Sequence, residues 1–115
     1  MEKPKTGQVW VPHDEVPAEK MPTWDKRRVM AHGKEMMLVE NEFKTGETAP
    51  EHSHPYAQIT YIISGAMEFT IDGETRVLRK GDTAYMAPDA VHSAVAAEDS
   101  LIIDMFAPMR EDFLD

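Results

Sequence analysis

The chain has 115 residues, 42% of them hydrophobic and 29% charged, and no cysteine. That is one globular domain's worth, in which disulfides are excluded and any metal must be held by nitrogen and oxygen ligands. A formal net charge of −9, from 21 acidic and 12 basic residues, argues against nucleic acid and anionic membrane as partners, since both need a basic footprint. No run approaches the ~20 apolar residues of a membrane span. The opening MEKPKTGQVWVP has no apolar stretch behind its lysines, so it does not read as a signal peptide and a cytoplasmic location is expected.

Residues 1–26 form a lead-in. Pro4, Pro12, Pro17 and Pro22 exclude a helix there, and one short strand is expected at Gln8–Val11. Val9, Trp10, Val11 and Trp24 give this segment apolar character that it cannot bury alone. Addition to a neighbour's sheet would cover it, and a homodimer is expected on that ground, with wrapping of its own domain as the alternative.

Residues 27–115 form the main domain. Strand-like runs rich in Val, Ile, Tyr, Phe and Thr follow one another at Arg27–His32, Met36–Phe43, Gln58–Ile63, Met67–Ile71, Thr75–Leu78, Thr83–Ala87, Ser93–Ala97 and Leu101–Phe106. Asp72-Gly73 supplies the two positive-φ residues of a type I′ hairpin turn. Only Arg110–Leu114 has room for a helical turn. Short strands with close turns predict an all-β sandwich or barrel. The methionines, including Met36, Met37, Met67, Met86 and Met105, read as core filler. Tyr61 and Tyr85 could face inward or outward.

The sharpest chemical signal is His52-Ser-His54 followed by Gln58. Residues two apart on an extended strand share a face, and Gln58 keeps that parity. His92 lies far enough along to return beside them after two hairpins. Three imidazoles and an amide oxygen make a site for a divalent first-row metal such as Ni, Mn, Fe or Zn. His13 and His32 fall outside this pattern and read as solvated or structural. A neutral Gln leaves a dication at its full charge, which favours Lewis-acid chemistry on an anion over stabilisation of a higher oxidation state. In the last strand, Asp104 shares a face with Ile102 and Phe106. A carboxylate there is either a buried ion-pair partner, with Arg110 as one candidate, or a proton-transfer group.

The run from Gly46 through His52, His54 and Gln58 to Gly65 resembles the first motif of the cupin superfamily, with Gln58 in the place of its glutamate. The run from Gly81 to His92 resembles the second, with the proline displaced to Pro88 and Asp89 replacing a glycine. Asp tolerates positive φ better than most residues, so that turn can survive. The resemblance implies a double-stranded β-helix, or jelly-roll barrel, with His52, His54, Gln58 and His92 as metal ligands.

A narrower resemblance covers about Arg27 to Leu114. Met37-Leu-Val-Glu40, His52-x-His-Pro-x-x-Gln58, Tyr61-Ile-Ile-Ser-Gly65 and Asp104-x-Phe106-x-Pro108-x-Arg110-Glu-Asp-Phe-Leu114 are similar to the pectin-degradation KdgF family. That family ketonises 4,5-unsaturated uronates. The likeness implies catalytic or substrate contacts from Asp104, Phe106 and Arg110, although Phe106 reads equally well as plain core. Tyr56-Ala57 departs from the His-Glu of many relatives. The expected function is metal-dependent isomerisation of a small anionic sugar acid. A ferrous-iron cupin dioxygenase and a non-enzymatic sugar-acid binding cupin are the alternatives.

Overall fold

The computed structural model describes residues 1–114. Ten strands make it almost entirely β: β1 (Glu19–Lys20), β2 (Lys26–Gly33), β3 (Met36–Phe43), β4 (Thr48–His52), β5 (Ala57–Ser64), β6 (Ala66–Ile71), β7 (Glu74–Arg79), β8 (Thr83–Met86), β9 (His92–Ala96) and β10 (Ser100–Ala107). Single 3₁₀ turns lie at His13–Glu15 and Glu111–Phe113. The strands form two antiparallel sheets, ordered β1-β2-β3-β10-β5-β8 and β4-β9-β6-β7.

Strict alternation sets what faces inward, because successive side chains on a strand point to opposite faces. β3 buries Met37, Val39, Asn41 and Phe43; β5 buries Gln58, Thr60 and Ile62; β10 buries Ser100, Ile102, Asp104 and Phe106. The inward residues form two apolar clusters. One contains Phe43, Ile62, Met67, Phe69 and Ile102, with Trp24 packed against it; the other contains Val29, Met37, Val39 and Phe106, with Phe113 against it. Along β10 the chain contributes Ile102 to the first, Phe106 to the second, and Asp104 to neither. A polar layer therefore lies between two apolar ones.

Turn chemistry follows the sequence closely. Asp72 and Gly73 have φ of 48° and 83°, and Asp89 has φ of 68°. Gly65, at φ 88°, joins β5 to β6 so tightly that an added Cβ would lie 2.2 Å from the Asp99 carbonyl oxygen.

Two expectations need correction, the strand at Gln8–Val11 and the placing of Met36 and Met105 in the core. Gln8–Val11 is not a strand; the lead-in's strand is β1, which pairs with β2. The lead-in runs along its own domain: the Gly7 N–H donates to the His32 carbonyl at 2.8 Å, and Val16 is buried. Trp10 nevertheless stays 83% exposed. β4 was not anticipated, because Pro50 sits within it; it is an edge strand, where a missing N–H is tolerated. Met36 and Met105 are exposed rather than core, while Met37, Met67 and Met86 are fully buried. Tyr61 and Tyr85 point outward. Among the described residues, no helix is long and apolar enough to cross a membrane.

Candidate metal centre

The two facing sheets bring the three expected histidines together. His52 ends β4 and His92 begins β9, and the two are direct cross-strand partners. His54 follows in the connection to β5, and its carbonyl accepts the Asp89 N–H at 2.7 Å, which ties the two motifs to each other. One ring nitrogen from each of His52, His54 and His92 lies within 4.8 Å of the others. His54 and His92 are buried, while His52 is exposed.

Each ring has its tautomer fixed by the backbone. Nδ1 of His52 meets the Pro50 carbonyl at 2.6 Å, Nδ1 of His54 the Tyr56 carbonyl at 3.0 Å, and Nδ1 of His92 the Ala90 carbonyl at 2.9 Å. A carbonyl only accepts, so each Nδ1 carries the proton and each Nε2 offers a lone pair. Burial lowers the pKa of His54, and burial lowers His92 to about 4. Both are therefore neutral imidazoles at neutral pH, the state a metal needs.

Gln58 completes the set. Its Nε2 donates to Asp104 Oδ1 at 3.0 Å and to Thr60 Oγ1 at 3.1 Å. Its Oε1 therefore faces His54 Nε2, at 2.9 Å. With Nδ1 protonated, both of these atoms are acceptors. Two acceptors that close match neighbouring ligand atoms around one cation, since bonds of ~2.1 Å at right angles place ligands about 3 Å apart. His92 Nε2 is buried without a hydrogen-bond partner. The donor set and this orphaned nitrogen both fit a divalent metal.

Asp104 lies beside this cluster. Its Oδ1 accepts from Thr60 Oγ1 at 2.6 Å and from Gln58, and its Oδ2 accepts from Asn41 Nδ2 at 2.7 Å. Trp24 Nε1 donates to Asn41 Oδ1 at 3.0 Å, which orients that amide. Burial raises the Asp104 pKa, and the bonds from Thr60, Asn41 and Gln58 partly oppose this. Arg110 is not its ion-pair partner. That guanidinium donates twice to Asp112, at 3.1 and 2.8 Å, and lies over the rings of Tyr56, Phe106 and Phe113.

Asp104, His52, His92, Gln58, Phe106 and Arg110 line one cavity of ≈ 550 Å³, open mouth included. Arg27 also lines it, with its guanidinium 4.0 Å from the Phe113 ring centre. Two guanidiniums thus flank the cavity of a strongly acidic protein, each also paired with a carboxylate, Arg27 with Glu19 at 3.0 Å and Arg110 with Asp112. Phe106 is both wall and core: it lines the cavity and belongs to the second apolar cluster. His13 lies apart, against Glu40, and His32 is buried with Nδ1 on the Met30 carbonyl.

Asn41, Thr60, Trp24 and Arg27 were not anticipated. For the first two a signal existed: they occupy inward parities of strands whose other inward residues are mostly apolar. Nothing local marks Trp24, whose placement depends on how the lead-in folds back, or Arg27, which the β2–β3 register sets opposite Asn41.

Comparison with known proteins agrees with this geometry. A cupin domain family model matches residues 39–106. The pectin degradation protein KdgF of Dickeya dadantii (strain 3937) is 38% identical over 104 residues, spanning 88% of this chain and 94% of that one. The structure of KdgF from a Halomonas species superposes with a TM-score of 0.87 at 35% identity, covering 92% of this chain and 98% of the other. An RmlC-like cupin from Shewanella frigidimarina NCIMB 400 gives 0.85 at 30% identity, covering 89% and 92%. With two facing antiparallel sheets and both histidine motifs converging at one cavity, the chain belongs to the cupin family and, within it, to the KdgF group.

Proposed function

We propose that the protein is a metal-dependent enzyme that opens 4,5-unsaturated uronates and converts them to the linear keto form. The observation that carries this reading is the buried Asp104 carboxylate, set beside a three-histidine cluster in a cavity that Arg110 also lines. His52, His54, His92 and the Gln58 amide oxygen would hold the metal. When bound, a dication supplies Lewis-acid stabilisation of the negative charge that develops at an enol oxygen.

The remaining chemistry falls to the chain itself. Arg110 is pre-oriented by Asp112 and by three aromatic rings, and it captures the substrate carboxylate. Asp104 takes the proton of the anomeric hydroxyl. The C1 carbonyl forms as the bond from C1 to the ring oxygen breaks, and the electron pair stays on that oxygen as an enolate. Asp104 then returns the proton to C4, the alkene carbon without the carboxylate, and the oxygen-bearing carbon becomes a ketone. One proton is moved and none is consumed. A carboxyl whose pKa is raised by burial suits both halves of that transfer. Phe106 walls the ring face of the cavity, and the KdgF likeness supports the choice of uronate.

The test is the ultraviolet band of the conjugated alkene, followed for an unsaturated uronate with the metal-supplemented protein and corrected for spontaneous decay. Faster loss of the band, with the keto product seen by NMR, is expected. No acceleration, combined with O₂ uptake on some other substrate, would transfer the protein to oxygen chemistry.

A further inference from the structure

Asp104 and Gln58 have no covalent reason to point as they do. Both side chains rotate, and an amide can present either end to its surroundings. What removes that freedom is a chain of bonds in the polar layer between the two apolar clusters. Asn41 is 6% exposed, Asp104 7% and Thr60 0%. At such burial a polar group left without a partner is costly, so each bond decides an orientation.

Thr60 stands directly opposite Asp104 in the β5–β10 register. Its hydroxyl is used in both directions: it donates to Asp104 Oδ1 and accepts from Gln58 Nε2. The first bond sets the carboxylate plane. The second, with the Gln58–Asp104 bond, uses both hydrogens of the Gln58 amide and so turns Oε1 toward the histidines. Asn41 secures the other carboxylate oxygen, and Trp24 prevents the Asn41 amide from flipping.

We propose that Thr60 and Asn41 are positioning residues: held between β3, β5 and β10, they aim the Asp104 carboxylate into the cavity, and Thr60 also fixes the Gln58 oxygen toward the metal ligands. This rests on the proposed function for the Asp104 half and on geometry alone for the Gln58 half. Val is nearly isosteric with Thr but lacks the hydroxyl, and Ser retains the hydroxyl without the methyl. The pair separates hydrogen bonding from packing.

Two readouts test this on the full-length protein, with folding checked by circular dichroism. In the first, Co²⁺ alone is titrated into chelated protein and followed by its visible absorption. Thr60→Val should weaken Co²⁺ binding about 10-fold, in the range found when groups that orient a ligand are removed. Thr60→Ser should restore most of it, and Asn41→Leu should leave it within about 3-fold of the parent. In the second, turnover is measured at saturating metal. Thr60→Val and Asn41→Leu should each lower kcat at least 10-fold with KM changed less than about 3-fold, and Ser at position 60 should rescue. Combined with Asp104→Asn, neither substitution should lower kcat further, because both act through that carboxylate. If folded Thr60→Val bound Co²⁺ and turned over like the parent, or if Ser failed to rescue, the proposal would be overturned. If the parent itself did not catalyse ketonisation, the proposed function would fall. The Co²⁺ titration would still decide the Gln58 half.

Discussion

Gln58 stands where the cupin motif carries a glutamate, and its contacts make the consequence of restoring the acid calculable. Gln58→Glu would put a carboxylate oxygen in the place of the Nε2 that now sits 3.0 Å from Asp104 Oδ1. Two unit charges at that distance repel by about 5.5 kcal/mol at an effective dielectric of 20. The site would avoid most of this by retaining one proton that the parent does not hold. Burial already raises the Asp104 pKa, so the two causes add in direction. The sign follows from linkage. A carboxyl whose folded pKa lies above its unfolded value of about 4 carries a proton in the folded state that it lacks when unfolded. Stability is then greatest below the unfolded value and falls as pH rises toward the folded one. One extra retained proton corresponds to about 1.4 kcal/mol per pH unit, so the variant should lose stability relative to the parent by up to about that much for each pH unit above the unfolded value over which the proton is kept. Urea unfolding of the chelated proteins at several pH values, read by tryptophan fluorescence, measures this directly. Parallel stability curves for parent and variant would refute the contact from which the repulsion was calculated.

Other outcomes follow from the same geometry. Asp104→Asn should slow ketonisation by about 10²–10⁴-fold with metal still bound, the usual contribution of a general acid–base; full rate in the loaded variant would make Asp104 structural. The new amide also sets a donor against one of three existing donors, so a stability loss of about 1–3 kcal/mol should accompany it in thermal unfolding, less whatever relief comes from removing a buried charge. Arg110→Ala should raise KM more than it lowers kcat, as expected when an anion contact is equally strong in ground and transition states; steady-state kinetics separates the two. His92→Ala should deplete metal in elemental analysis and abolish turnover. Gly65→Ala forces both a positive φ and a clash with the Asp99 backbone, so its unfolding free energy, measured in urea, should drop by more than about 3 kcal/mol.

Much of this was legible from residue order because strand parity is strict. Ile102, Asp104 and Phe106 could be placed on one face from alternation, as observed; His52, His54 and Gln58 were expected to share one face of an extended strand, yet β4 ends at His52, His54 lies in the connection that follows, and Gln58 is on β5 of the other sheet. The Asp72-Gly73 turn and the positive φ of Asp89 followed from local sterics. What could not be read depends on pairings remote in sequence. Asp104 offered Arg110 as its obvious partner, yet the structure assigns it three neutral donors from two strands, Asn41 on β3 and Gln58 and Thr60 on β5. Opposite charges nearby in sequence suggest a pair; they do not reveal that Asp112, two residues on, takes Arg110 first. Trp24 reaches the cavity because the lead-in folds back as β1 beside β2, and Arg27 because β2 pairs with β3 and sets it opposite Asn41. That choice is made by packing along the whole edge and not by the proline-rich segment itself.

The three Nδ1 bonds to carbonyls two residues away have a consequence for how the centre is assembled. Each imidazole is oriented by its own stretch of chain and not by a carboxylate brought in from elsewhere. Once the strands are formed, the socket is already shaped, with lone pairs converging before any ion arrives. An ion entering such a socket would meet ligand nitrogens already oriented by the backbone, unlike in small domains that collapse only around their metal. The nitrogen–oxygen donor set would then weigh in the choice of ion, together with what the surroundings supply.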